Sequence, residues 1–557
     1  MSSRTSIYTL ASVTVLGGLL AYVVYFDYKR RNDAEFRRKL RKEKKKANKT
    51  AARPQGGAVD ADDLRAALAK VRTEELPATP EEKEQYFMTQ VGMAEELAAQ
   101  GPAFRLPAAL SFYRALRVYP SPVELIMIYQ KTVPEDIFKV IMDLTNMDVK
   151  DRVEGYYNIF PPKSMNVSVQ DGKDKKKILV AEKDFEPGDV IYKEEPIVTA
   201  LDLDIQAQDS HCAHCFRSIQ KGVAIKADID RLGAVYCSKD CQLKSKVQSE
   251  NLLFGLDAVL PPELDSGISD LSKADREQAQ GPFADYLKSK GKTGPILVAR
   301  LVARAIAIET GKLLPKKSGP AATDLPLLVD DNADYSLYDH LERLRYIEVN
   351  PPEEENKLLT KVLAAAVPGL EQSITDERYA MYLGKVTYNA YGVCFGGGRD
   401  DKPVSSERPE DKERTRTPYG TSRQVGSGFY LVSSYIGHSC APSARPSFSS
   451  GTAELHLIAT RKLKKGDEIT VSYVDVSQHD GEAPEEARRR RRFELAWGWR
   501  FRCECERCVS ETKDSKDNKE NDVGLEKDGS KVEDVVQRAE KGGPGGVQDP
   551  SQLLGPD

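Results

Sequence analysis

Eight of the nine cysteines fall into two groups whose spacing suits a metal ion. The first is Cys212-x-x-Cys215 followed, after a loop, by Tyr236-Cys237-x-x-x-Cys241. Two short-spaced pairs supply four thiolates for one tetrahedral structural zinc. His211 and His214 stand beside them as possible substitutes, but the four cysteines already complete a site. The second group is Cys503, Cys505 and Cys508 within FRCECERC; three thiolates need a fourth, and Cys440 in IGHSCAP is the candidate. In a cytosolic body such thiols stay reduced, so clusters read as metal ligands before disulfides. Cys394 stands alone and is expected to be a small buried hydrophobe.

Positioning these residues takes more than one domain. The chain has 557 residues, a formal net charge of −4 and no basic excess that would argue for nucleic-acid binding; its mean hydropathy is −0.50. Ile7–Phe26 carries no charge, and a helix of that length spans a bilayer core. The basic cluster Lys29-Arg30-Arg31 and the lysines and arginines up to Lys49 follow it, with only Arg4 before it, which places the body on the cytoplasmic side. The reading is therefore multi-domain. A transmembrane signal anchor (1–28) and a basic stalk and linker (29–60) precede an all-α domain (61–155). An α+β domain with helical insertions and zinc sites (165–510) comes next, then a tail (511–557) whose loss of aromatics predicts disorder. Within the α+β part, residues 205–245 hold the first cysteine group and 501–508 the second. Residues 397–425, Gly-rich, charged and nearly without large aliphatics, are expected to form a disordered insertion. Strands are predicted around Ile178–Ala181 and Val190–Tyr192, parted by a Pro187-Gly188 turn, and again from Phe429 to Tyr473; residues 243–390 read mainly as helix. The five arginines Arg488–Arg492 fit either the solvated face of a helix or contact with an acidic partner.

Between Gln85 and Asp148, small Ala108, Ala109 and Ala115 alternate with bulky Phe112, Tyr113 and Leu116, as in two closely packed helices of a tetratricopeptide-like unit. Phe87-Met88, Glu95-Glu96-Leu97, Ala99-Gln100-Gly101 and Gln130-Lys131-Thr132-Val133-Pro134 with Ile137-Phe138 follow an anchor and a basic stalk. In that order they resemble the twenty-kilodalton receptor of the mitochondrial outer-membrane import translocase. The resemblance implies an apolar groove for the amphipathic presequence helices of precursor proteins, with other translocase subunits as further partners. It places Phe87, Met88, Val91, Leu125, Ile128, Tyr129, Thr132 and Val133 at the groove and Glu95 and Glu96 as rim charges for a basic helix. Simple core packing is the alternative for the apolar positions.

The remainder, roughly 165–510, resembles a SET domain of the SET-and-MYND kind. DFEPGDVIYKEEPIV, TYNAYGV, GFYLVSSYIGHSCAPSARPSF and KLKKGDEITVSYVD follow the order of its motifs. The first cysteine group looks like half of a MYND finger, and the second like a post-SET zinc cluster. The resemblance implies transfer of a methyl group from S-adenosylmethionine to a lysine amine. It gives Tyr473 the catalytic place at the transfer pore, and His438, Asn389 and Phe501 places at the cofactor. Three departures bear on that cofactor. Gly437 stands where the motif has Asn, Lys176-Lys177-Ile178 replaces a glycine-rich loop, and Ser443 replaces the Asn after Cys-x-Pro. Side chains in place of glycine obstruct close backbone approach to a ligand. Two readings stand side by side: a presequence receptor carrying a SET-like body, and a membrane-tethered protein-lysine methyltransferase.

Overall fold

The computed structural model describes residues 61–77, 80–119, 122–172, 176–220, 222–226, 231–260, 273–311, 335–403, 407–408 and 411–513. The expected anchor, the stalk and residues 514–557 lie outside them. Among the described residues no helix is long and apolar enough to cross a membrane. The chain parts into two compact units near Asn158.

The first unit is helical: α1 (Ala61–Arg72), α2 (Pro80–Ala99), α3 (Arg105–Val118), α4 (Pro122–Thr132) and α5 (Glu135–Ile159). In α1, Leu64, Leu68 and Val71 recur at the helical period and all three are buried. They join Ala94, Ala108, Ala109, Phe112, Leu116, Leu125, Tyr129, Ile141 and Leu144 in one core. Ala94, Ala108, Ala109 and Ala115 have no exposed surface, so side chains of one methyl let α2 and α3 approach closely. Arg114 reaches Glu74 through two hydrogen bonds of 2.7 and 2.6 Å, tying α3 to the chain after α1.

The second unit is built of short strands. β1 (Val167–Asp171) pairs antiparallel with β2 (Lys177–Ala181). β3 (Val190–Glu194) lies in the order β10-β11-β3 with β10 (Ala444–Ser447) and β11 (Leu455–Ala459). β4 (Val198–Leu201), β7 (Tyr391–Val393) and β8 (Gly426–Phe429) form a second triplet, and β5 (Ile225–Lys226) pairs with β6 (Val235–Tyr236). β9 (Gly437–His438) and β12 (Thr470–Val471) pair in parallel, Thr470 with Gly437 and Val471 with His438. That pairing brings the two long motifs of the sequence side by side. Gly188 turns the chain at φ +96° before β3, as the Pro-Gly pair predicts.

The longer helices here are α6 (Lys239–Ser245), α7 (Lys273–Lys290), α8 (Gly294–Gly311), α9 (Glu353–Ala366), α10 (Asp376–Asn389), α11 (Pro484–Trp499) and α12 (Glu506–Lys513). In α10, a Cβ at Gly384 would lie 2.1 Å from the Ile347 carbonyl oxygen, so only glycine admits that crossing.

The expectation of a disordered insertion at 397–425 is corrected for its described residues, 397–403, 407–408 and 411–425. Thr415, Arg416, Thr417 and Gln424 are buried. The Arg416 N–H donates to Ala390 O and the Gly392 N–H to Arg416 O, so the segment is laced against β7. Glu413 accepts hydrogen bonds from the backbone N–H groups of Thr293 and Gly294 and so caps the start of α8. Polar side chains, satisfied internally, do here what aliphatics do elsewhere. The tail boundary also shifts, since Glu511–Lys513 belong to α12.

Candidate functional site

Both cysteine groups come together. Cys212, Cys215, Cys237 and Cys241 place their sulfurs within 4.8 Å of one another, as do Cys440, Cys503, Cys505 and Cys508. The nearer Sγ pairs are 3.6 Å apart in the first group and 3.5 and 3.8 Å in the second. Zn–S bonds of ~2.3 Å give a tetrahedron whose edge is roughly 3.8 Å, whereas a disulfide would need ~2.05 Å. All nine cysteines are free.

Local structure fixes each ligand. In the first group, the Phe216 N–H closes a tight turn on Cys212 O at 2.8 Å. Ser238 caps α6 and accepts the Cys241 N–H at 3.1 Å. His211 contacts Ser210 at 2.9 Å through Nδ1 and stacks on Phe395; neither it nor His214 enters the thiolate set. In the second group, α12 begins between Cys505 and Cys508, and Arg507 donates to Cys440 O at 3.1 Å.

Arg491 supplies an independent test of fit. It is fully buried, and while Nη2 reaches Glu511 at 2.5 Å, Nε and Nη1 find no oxygen partner. Burial opposes its charge, and the neighbouring Cys440, Glu511 and Cys508 favour it. A guanidinium turned toward thiols offsets the net negative charge of a four-thiolate zinc centre, so these residues fit the metal. The arginine run is thus not one solvated face. Arg488 donates to Cys508 O, Arg490 reaches Glu482, and Arg491 is internal. The signal lay in the spacing: Ala487, Arg491, Leu495 and Trp499 recur every four residues and all are buried. Cys394 is buried as expected; burial pushes its thiol up to about 11.

Tyr473 sits where β12 ends, beside His438. Its N–H donates to His438 Nδ1 at 3.0 Å and its hydroxyl to Ile436 O at 2.6 Å. Burial lowers the His438 imidazole to about 4, so it is neutral, and with Nδ1 accepting, the proton is on Nε2. Phe501 lies with its ring centroid 6.0 Å from His438 and 6.3 Å from Tyr473. Trp499 packs at 5.3 Å from Tyr473 and donates to Tyr388 O.

Asn389 is fully buried and its amide is engaged. Nδ2 donates to Arg345 O and Lys385 O, and Oδ1 accepts from Arg416. Arg416 and Glu194, which the sequence reading did not single out, clamp the turn Ser433–Tyr435 from two sides. Glu194 accepts from the N–H groups of Val432 and Ser433 and from Ser433 Oγ. Arg416 donates to the carbonyls of Ser433, Ser434 and Ile436. Two of the contacts expected for S-adenosylmethionine are missing: Gly437 offers no side chain, and the Asn389 amide is engaged within the fold.

In the helical unit, Met88 is 65% exposed and Ile128 48%, Phe87, Val91 and Val133 are half-buried, and Glu95, Glu96 and Thr132 face water. Leu125 and Tyr129, at 3% each, lie in the core; the Tyr129 ring packs 4.9 Å from Phe112. As they stand they are core residues and not groove walls. Met93 and Met127, which belong to no motif in the sequence, are exposed as well. Burial, then the charge of Glu95, holds the Tyr129 phenol above its usual range, which places Glu95 near α4.

Residues 9–158 match the family described as MAS20 protein import receptor, and residues 176–474 the SET domain. The mitochondrial import receptor subunit tom20 of Neurospora crassa is 40% identical over 151 residues, 27% of this chain and 83% of that protein. A SET and MYND domain-containing protein of Dictyostelium discoideum is 23% identical over 388 residues, 68% of this chain and 90% of its own. The chain belongs to both families, as a fusion of import receptor and SET domain. Yeast histone-lysine N-methyltransferase SET5 is 25% identical over 367 residues, 63% of this chain and 62% of its own. The import-receptor match ends at Asn158 with the main segment of the first unit, and the SET match runs from the start of β2 to Val474.

Proposed function

We propose that this protein is a presequence receptor of the mitochondrial outer membrane, held by residues 7–26, with its bulk in the cytosol. Its tetratricopeptide-like helices take up precursor presequences and pass them to the translocase. The carrying observation is the set of apolar side chains left in water on α2 and α4, Met88, Met93, Met127 and Ile128, beside Glu95. Flexible methionines repack around many sequences, and the acidic rim suits a basic amphipathic helix. A fluorescent presequence peptide titrated into the full-length chain in detergent tests this. Saturable binding that falls with Ile128→Asp and Met88→Asp is expected; binding untouched by both removes the groove.

The SET-like body reads as a zinc-stapled module carried on that receptor. A second reading, a tethered protein-lysine methyltransferase, draws support from the convergence of Tyr473, His438 and Phe501 and from the relative named a histone-lysine N-methyltransferase. Calorimetry with S-adenosylmethionine separates the two; absence of heat at millimolar ligand sinks the second.

A further inference from the structure

Arg416 lies in the stretch whose composition predicted disorder, yet it has no exposed surface. Its guanidinium carbon is 4.3 Å from the centre of the Tyr473 ring. Tyr388 and Tyr391 face it at 5.2 and 5.6 Å. Nε donates to Tyr388 O, Nη1 is shared among Ser433 O, Ser434 O and Ile436 O, and Nη2 donates to Asn389 Oδ1. Every hydrogen-bond partner is a neutral oxygen. Glu194 is engaged with the N–H side of the same turn. A permanent cation therefore stands inside the site, in contact with both Tyr473 and Asn389, with no ion pair of its own among the described residues.

We propose that Arg416 is a built-in cation that closes this site to S-adenosylmethionine and to other cationic ligands, while leaving it open to a neutral nucleoside thioether. The inference rests on the reading that Tyr473 and Asn389 border a cofactor pocket. A sulfonium aimed at Tyr473 comes within several ångströms of the guanidinium. At an effective dielectric near ~20, repulsion at that range weakens binding by roughly 30- to 100-fold. The carbonyl of Ile436, which accepts the Tyr473 hydroxyl, is already bonded to Arg416 and offers a cation less.

The test is calorimetry on the full-length chain in detergent with S-adenosylhomocysteine, which has a neutral sulfur, and S-adenosylmethionine. The expected result is binding of the thioether with the sulfonium at least ~30-fold weaker. Arg416→Met should narrow that ratio at least ~10-fold by improving only the sulfonium, while Arg416→Lys, which keeps the charge, should preserve it. Equal affinity of the unaltered protein for both ligands overturns the proposal while leaving the pocket in place. No binding of either ligand, before and after Arg416→Met, overturns the pocket reading and the proposal with it. Sulfonium binding gained only in Arg416→Met supports the proposal. Should neither variant fold, as judged by thermal melting and zinc content, the ratio in the unaltered protein decides.

Discussion

The two units treat side-chain chemistry in opposite ways. The helical unit leaves apolar groups in water, whereas the SET-like unit draws ionisable groups into its interior. Met88 and Ile128 stay exposed on α2 and α4, while Arg416, Arg491 and Glu194 are buried among carbonyls, thiols and backbone N–H groups. Exposed apolar side chains raise the free energy of the unbound state and are kept where a partner will cover them. Buried charges are tolerated where partners are fixed in advance, and they make the surrounding turn specific more than stable. The receptor unit is thus adaptable at its surface, and the SET-like unit is rigid around its centre.

The largest effect that would sharpen this contrast concerns zinc. Cys503→Ser should remove one of two zinc ions and unfold the region around Tyr473, because Cys440 adjoins His438 at 3.3 Å; structural zinc contributes on the order of 10 kcal/mol to such folds. Elemental analysis with a thermal melt checks this, and the melt of the helical unit should not move. Next, Arg491→Ala should cost about 1–3 kcal/mol and speed zinc release to a chelator, since it removes the buried cation beside the thiols and leaves Glu511 paired with Arg507 alone. Leu125→Asp and Ile128→Asp test the other side. The first puts a carboxylate into the core and should unfold the helical unit, whereas the second should shift stability by less than ~0.5 kcal/mol yet weaken presequence binding about tenfold. Equal losses of stability would dissolve the distinction between core and exposed face.

A pH series addresses the interior charges. Burial raises the Glu194 carboxyl to about 7 against the hydrogen bonds that favour its anion. Between pH ~4.5 and ~7 the folded state holds a proton that the unfolded state has lost. Its contribution is therefore full below ~4.5 and declines as pH rises through ~7, by roughly 3 kcal/mol in all. Glu194→Gln should flatten that slope in denaturant titrations. The smallest effect belongs to the rim: Glu95→Gln with Glu96→Gln should slow presequence association about two- to threefold at low salt and not at all at high salt.

Much of this was legible in the chain itself. Cysteine spacing determined the two pairs of the first ligand set and three members of the second, because the tight turns that present those thiols are local; Cys440, 63 residues before Cys503, joins them only through the fold. The helical period of Leu64, Leu68 and Val71 determined the inner face of α1, and motif order determined both families. Tertiary structure alone decided that Leu125 and Tyr129 are core while Ile128, one turn away, is surface, since the other helices choose which flank of α4 they cover. It alone decided the place of Arg416, whose acceptors lie 17 to 28 residues along the chain. Composition could only report that stretch as polar. A polar side chain is buried when distant oxygens converge on it, and local sequence does not carry that convergence.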